Sequence, residues 1–198
     1  MRALKDLASD HITLEGRVEI WAFRRGQLFY HEDQKNIILY QGKAEVIRTL
    51  SVISPSTKPR IITRMAVGDQ GTIPSDSTVP KVPVASQTSL YHEVFRTDMS
   101  SATLTTSGST NQCQFVTTFD ATTVPITAFS NPSQPRLNEV GLVIIDPTAL
   151  AGISRSPVIS PASPPVDEVL FSLRTFKSVP FDAADGVTVT VRYTISIQ

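Results

Sequence analysis

Val187-Thr188-Val189-Thr190-Val191-Arg192-Tyr193-Thr194-Ile195-Ser196-Ile197-Gln198 alternates apolar and polar residues without a break. A period of two over such a run predicts a β-strand with one dry face and one wet face. Asp185-Gly186 just before it reads as a turn, and Val169 to Pro180 as the strand on the other side of that turn. A long strand left unpaired would be an open template for association. The pattern therefore predicts a sheet protein whose strand edges need partners, and by itself it names no chemistry.

Composition agrees with that reading. The chain has 198 residues, of which 40% are apolar and only 18% charged. That is enough apolar material for one buried core, with fewer charges than solvated helices usually carry. Lys plus Arg and Asp plus Glu are both 18, giving no formal net charge. A nucleic-acid binder draws most of its affinity from phosphate contacts and shows a basic excess, so no nucleic-acid partner is expected. Cys113 is the single cysteine, which rules out an internal disulfide and a cysteine-built zinc site. It falls in the alternating run Cys113, Phe115, Thr117, Phe119 and is expected to be a buried, inert thiol. No apolar run approaches the roughly 20 residues a membrane-crossing helix needs, so no membrane role is expected.

Along the chain, residues 1–11 form a short N-terminal arm, in which Leu4, Leu7 and Ala8 have helical spacing. Residues 12–198 are expected to make a single domain. Ile12 to Phe23 predicts a strand with Val18, Ile20 and Ala22 on one face. Trp21 and Phe23 make the other face apolar too, which predicts burial on both sides. Arg24-Arg25-Gly26-Gln27 predicts a turn with a positive φ at Gly26, and Leu28 to Glu32 the returning strand. From Lys43 to Val52 the spacing changes to that of a helix, with Val46, Ile47 and Leu50 as its apolar stripe and Pro55 and Pro59 beyond its end. Ile61 to Val67 predicts a strand stopping at Gly68, and Leu90 to Asp98 another. Ala102 to Thr106 and Gln112 to Phe119 predict a hairpin around residues 107–111. Arg136 to Ile145 ends in a continuous apolar run and is expected to be central in its sheet. Asp69 to Gln87 and Pro147 to Pro165 read as long Pro/Ser/Thr-rich loops. The expected fold is mainly β: an antiparallel β-sandwich, jelly-roll among its forms, with one short helix. A β-barrel is the second choice.

The motifs that could carry chemistry each meet a plainer reading. Gly42-Lys43 lacks the upstream glycine and following Ser or Thr of a phosphate loop, and reads as a strand-to-helix junction bent at Gly42. His31-Glu32-Asp33 could offer metal ligands but reads as a solvated strand end. Ile73 and Pro74 interrupt any calcium-loop spacing between Asp69 and Asp76. Glu93, Glu139 and Glu168 could pair for glycoside hydrolysis, although each lies within or beside an expected strand. Trp21, Tyr30, Tyr40, Tyr91 and Tyr193 could stack on sugars, but aromatics on strands are usually core. No catalytic, cofactor-binding or metal-binding residue is assigned, and no cofactor is expected.

One combination of motifs is more distinctive. An early hairpin is followed by Asn36-Ile37-Ile38, then Gly42-Lys43 leading into the helix. Ile61-Ile62 and Met65-Ala66-Val67-Gly68 come next. Asn138-Glu139-Val140-Gly141-Leu142 and Leu170-Phe171-Ser172 with Arg174 and Phe176 follow, before the closing Thr/Val ladder. This order resembles virion structural proteins of tailed bacteriophages, over most of the chain. The resemblance implies a non-enzymatic β protein of the neck, collar, tail or baseplate, or an adaptor for fibres. It implies a homo-oligomer that contacts copies of itself and other virion proteins, assembled in the cytoplasm of a bacterial host and ending in the virion. The terminal arm, the long loops and the C-terminal strand are expected to exchange contacts between copies. A capsid decoration protein and a carbohydrate-binding attachment module are the alternatives.

Overall fold

The computed structural model describes residues 13–50, 60–107, 110–145 and 168–197. The chain runs through β1 (Leu14–Arg24), β2 (Gln27–Ile38), α1 (Tyr40–Leu50), β3 (Ile61–Gly68), β4 (Thr72–Ile73) and β5 (Asp76–Pro80). It continues through β6 (Glu93–Asp98), β7 (Ser101–Ser107), β8 (Thr110–Asp120), a short 3-10 turn (Ile126–Ala128), β9 (Arg136–Ile145), β10 (Glu168–Pro180) and β11 (Val187–Ile197). Nine of these strands form one antiparallel sheet in the order β6-β3-β9-β10-β2-β1-β11-β8-β7, and β4 with β5 makes a separate ribbon. Among the described residues the fold is mainly β and antiparallel with one α-helix, as the sequence predicts.

The sheet curls on itself. Tyr193 of β11 donates its hydroxyl to the carbonyl of Val140 on β9 at 2.9 Å, although three other strands separate β9 from β11 in the order. Phe95 of β6 meets Phe119 of β8 edge-on at 6.3 Å. Both contacts require the two halves of the sheet to face each other. β2 makes the bend: its first part pairs with β1, while Ile37 and Ile38 pair with β10. Between the halves lies one core, to which β1 gives Val18, Ile20 and Ala22, β11 its apolar row, and β9 Val140, Leu142 and Ile144.

The period-two stretch behaves as read. From Val187 to Ile195 every odd residue of β11 is buried and every even one half-buried. Its position corrects one expectation, however. β11 pairs with β1 on one side and β8 on the other, so it is a central strand with no edge to lend a neighbour. β9 is central between β3 and β10, and Leu137 to Ile145 are all buried.

Burial on both faces of β1 is also corrected. Trp21 and Phe23 are half-buried on the outer, wet face, where Trp21 stacks on His31 with ring centroids 5.4 Å apart. β2 is longer than predicted, and His31-Glu32-Asp33 lies inside it, not at a strand end. Gly26 takes the positive φ of 78°, beside Arg25 at 49°, giving the tight turn whose twist matches a hairpin.

The helix starts at Tyr40, three residues before the predicted start, and this changes the role of Gly42. The residue lies inside the first turn, pressed on β10, where a Cβ would come within 2.3 Å of the Phe171 carbonyl oxygen. Close approach, not a bend, is what requires glycine here. Gly42 and Val46 are four apart and share the face turned to the sheet. Ile47 lies about 100° further round the helix and is 66% exposed, so the predicted stripe is out of phase by one residue. Pro55, Pro59, the arm 1–11 and the loop Pro147–Pro165 lie outside the described residues.

Asp69 to Gln87 is more than an extended loop, because it carries the β4–β5 ribbon, which packs on β10. Thr175 Oγ1 of β10 donates to the Lys81 carbonyl at 2.5 Å and fixes the end of the ribbon. The predicted hairpin of β7 and β8 is tighter than expected, with register continuing to Ser107 opposite Thr110.

Candidate functional site

The densest polar cluster sits where β3 ends and β9 begins. Glu139 is fully buried in β9 and pairs in register with Gly68. A Cβ on Gly68 would come within 2.4 Å of Glu139 Oε1, so glycine leaves the room through which the carboxylate folds across β3. There Glu139 accepts backbone N–H groups from Tyr91 at 2.7 Å, His92 at 2.8 Å and Gln70 at 3.3 Å. These amides lie where the chain turns and no strand supplies a partner. The carboxylate takes that place, which a buried amide otherwise costs dearly to lose.

Asn138 acts on the other side. Its Oδ1 accepts the Gly71 N–H at 2.6 Å, and its Nδ2 lies 3.1 Å from the Asp69 carbonyl, Thr72 Oγ1 and Ser178 Oγ. Asp69 Oδ2 accepts the Ser130 N–H at 2.6 Å, and Asp69 Oδ1 lies 2.6 Å from His92 Nδ1. Burial pushes the Glu139 carboxyl up to about 7. The three backbone N–H groups oppose that shift, and the nearby Asp69 adds to it.

A serine, a histidine and two carboxyls so close invite a catalytic reading. Their geometry is that of a fastening. Ser130 Oγ and Asp69 Oδ1 approach the same imidazole nitrogen, at 3.2 and 2.6 Å, and Ser130 donates directly to Asp69 at 3.0 Å. A nucleophilic triad places the imidazole between hydroxyl and carboxylate, one nitrogen to each. Both Glu139 oxygens are taken by backbone amides and have no exposed surface for a substrate to reach.

Glu93 and Glu168 do come together, without Glu139. Arg96 grips Glu93 through Nε at 2.5 Å and Nη2 at 2.7 Å and also touches Glu168. Arg64 holds Glu168 at 2.6 Å and Asp98 at 3.0 Å. This ion network ties the ends of β6, β3 and β10, with both arginines 4% exposed or less. Each carboxylate faces a guanidinium, which suits ion pairing more than proton transfer.

Of the remaining candidates, Lys43 is exposed on α1, and Asp76 caps the Thr78 N–H at 2.8 Å in the β4–β5 turn. Among the described residues no group of His, Cys, Asp and Glu is placed to hold a metal ion. Cys113 is half-buried instead of buried, and burial pushes its thiol up. It lines an apolar groove of about 220 Å³ between α1 and the open end of the core, with Leu14, Phe115, Phe171 and Ile197. Of the five aromatic candidates for sugar stacking, Tyr193 is buried, and cations cover the rings of two others: Arg192 over Trp21 at 4.9 Å and Lys81 over Tyr91 at 4.3 Å. Tyr40 is 64% exposed.

Sequence reading missed Asn138, Asp69 and Ser130 as one unit. A signal was present: two polar residues, Asn138-Glu139, interrupt the otherwise apolar run from Leu137 to Ile145 of a central strand, and buried polar groups need partners. No protein-family model matches the sequence, and neither does any curated protein. Among the described residues no helix is long and apolar enough to cross a membrane.

Proposed function

We propose that this chain is a non-enzymatic structural component of a tailed-phage particle. It acts through protein–protein contacts in a neck, collar or tail ring, or as an adaptor for fibres. The observation that supports this reading is the convergence of the resembling motifs. Asn36 to Ile38 ends β2, Met65 to Gly68 ends β3, Asn138 to Leu142 fills β9 and Leu170 to Phe176 fills β10. Those strands are consecutive neighbours, and α1 packs on β10.

Motifs scattered along the sequence thus make one continuous framework. Two of their polar residues hold backbone: Asn138 and Glu139 fasten the turns after β3 and before β6. The outer face of β2-β1-β11-β8-β7 and the sheet edge at β7 are left for neighbours. A scaffold of this kind, repeated about a symmetry axis, turns weak contacts into a stable assembly.

The test is the native mass of the purified chain by light scattering, with electron images of the same fraction. A closed ring of about six copies, or a multiple, supports the neck, collar or tail reading. A chain that stays monomeric and binds oligosaccharides as an isolated domain would replace it with the attachment-module alternative.

A further inference from the structure

Among the described residues the curled sheet has two edge strands, β6 and β7, and they differ. β6 carries Glu93, Arg96 and Asp98, and its register with β3 slips at Val67/Gly68. Charges and bulges are the devices that keep an edge strand from pairing with another chain. β7 has none of them. Ser101-Ala102-Thr103-Leu104-Thr105-Thr106-Ser107 contains no charged residue and no proline, and its register with β8 is unbroken from end to end. Residues 101–106 are all exposed, and Leu104 at the centre is 75% exposed.

We propose that β7 is a strand-addition site for a second copy of this chain, the two β7 strands pairing antiparallel about Leu104. The occupant follows from the sequence of the edge itself. Under a two-fold axis at Leu104, each residue meets the one equally far on the other side. Ser101 then meets Ser107, Thr103 meets Thr105, and Leu104 meets Leu104. Only Ala102 opposite Thr106 pairs unlike residues. A strand that reads nearly the same from both ends is complementary to itself, and Thr–Thr pairs are favourable cross-strand neighbours.

The faces agree as well. Thr103 and Thr105 lie opposite Gln114 and Gln112, so their pairs extend the wet outer face. Leu104 lies opposite Cys113, on the side of the core, where its partner's Leu104 removes both from water. A seven-residue edge buries less than the roughly 1,600 Å² of a standard interface, so the pairing is weak between free chains and gains from repetition. It is an isologous contact that closes on two copies, so it stands independently of whether the chain also forms rings.

Cross-linking tests the register. Leu104 and Cys113 are direct cross-strand partners, so the experiment uses the whole chain with Cys113→Ser to prevent an internal bridge. Opposed Cβ atoms in paired strands lie about 4.5–5.5 Å apart, close enough for a disulfide after a small shift. Leu104→Cys in that background is expected to give a covalent dimer under mild oxidation, with yield rising with protein concentration. Ala102→Cys, which faces Thr106, is expected to give little. Sedimentation of the chain without added cysteines supplies the second readout. Leu104→Lys is expected to weaken self-association by at least about tenfold while leaving the urea midpoint unchanged, as an exposed site should. A chain that sediments as a monomer at all concentrations overturns the proposal. So does cross-linking at residue 102 as efficient as at residue 104.

Discussion

Replacing Glu139 by Gln tests whether the fastening at the end of β3 depends on a proton. Burial moves this carboxyl from 4.5 to about 7 in the folded chain. Between those values the native state holds a proton that the unfolded state has released. Stability from this group is then complete below pH 4.5, falls as pH rises, and is gone above about 7. The slope is about 1.4 kcal/mol per pH unit, so the whole interval corresponds to about 3 kcal/mol.

Gln has the same shape but does not titrate. If its oxygen keeps the His92 and Gln70 amides, its nitrogen faces the Tyr91 N–H, donor against donor, at a cost of about 1–3 kcal/mol. The assay is urea unfolding of both proteins at several pH values from 5 to 8, followed by the fluorescence of Trp21, the single tryptophan. The advantage of the natural chain over Glu139→Gln is expected to be largest at pH 5 and to shrink by about 3 kcal/mol by pH 8. An advantage that stays constant over that range, or grows with pH, would refute the reasoning. It would mean that the three amides keep the carboxylate ionised throughout.

Three further outcomes follow from the packing. Glu168→Ala takes from both buried arginines, Arg64 and Arg96, the one carboxylate they share, and is expected to destabilise by about 3–5 kcal/mol in urea titration. Gly42→Ala drives a methyl into the Phe171 carbonyl and is expected to cost about 1–3 kcal/mol, read as a lower melting temperature. An alanine at exposed Ala44's neighbour Lys43 serves as the control, with a change within about 0.5 kcal/mol. Tyr193→Phe removes the hydroxyl that reaches Val140 across the core and is expected to cost about 1 kcal/mol, with the fold retained by circular dichroism.

Local pattern made the strands legible, and long-range neighbours were not. The alternation in β11 tells which residues face the core, but a period says nothing about which strand lies alongside. The central position of β11 depends on β1, whose Glu19 accepts from Arg192, 173 residues away. Trp21 misled because an aromatic ring suggests a core, whereas here neighbouring strands sandwich it on a wet face with His31 and Arg192. The helix phase slipped by one because Gly42, with no side chain, adds nothing to an apolar stripe yet marks the face that packs. β5 was read as loop because Asp76-Ser77-Thr78-Val79-Pro80 has no alternation. The candidate site was the least legible part. The groups that Glu139 binds are backbone amides, and a sequence gives every residue the same backbone.

The pairing of β1 with β11 also sets the order in which the molecule can be made. Leu14 lies opposite Ile197 and Arg24 opposite Val187, so one half of the sheet joins segments from opposite ends of the described chain. While the chain emerges from the ribosome, β1 and β2 can form a hairpin, but the other side of β1 has no strand to pair with until β11 arrives. Such non-local closure folds slowly and leaves apolar surface open for longer. Shortening this chain from its end is therefore expected to remove the middle of the sheet, not trim its margin.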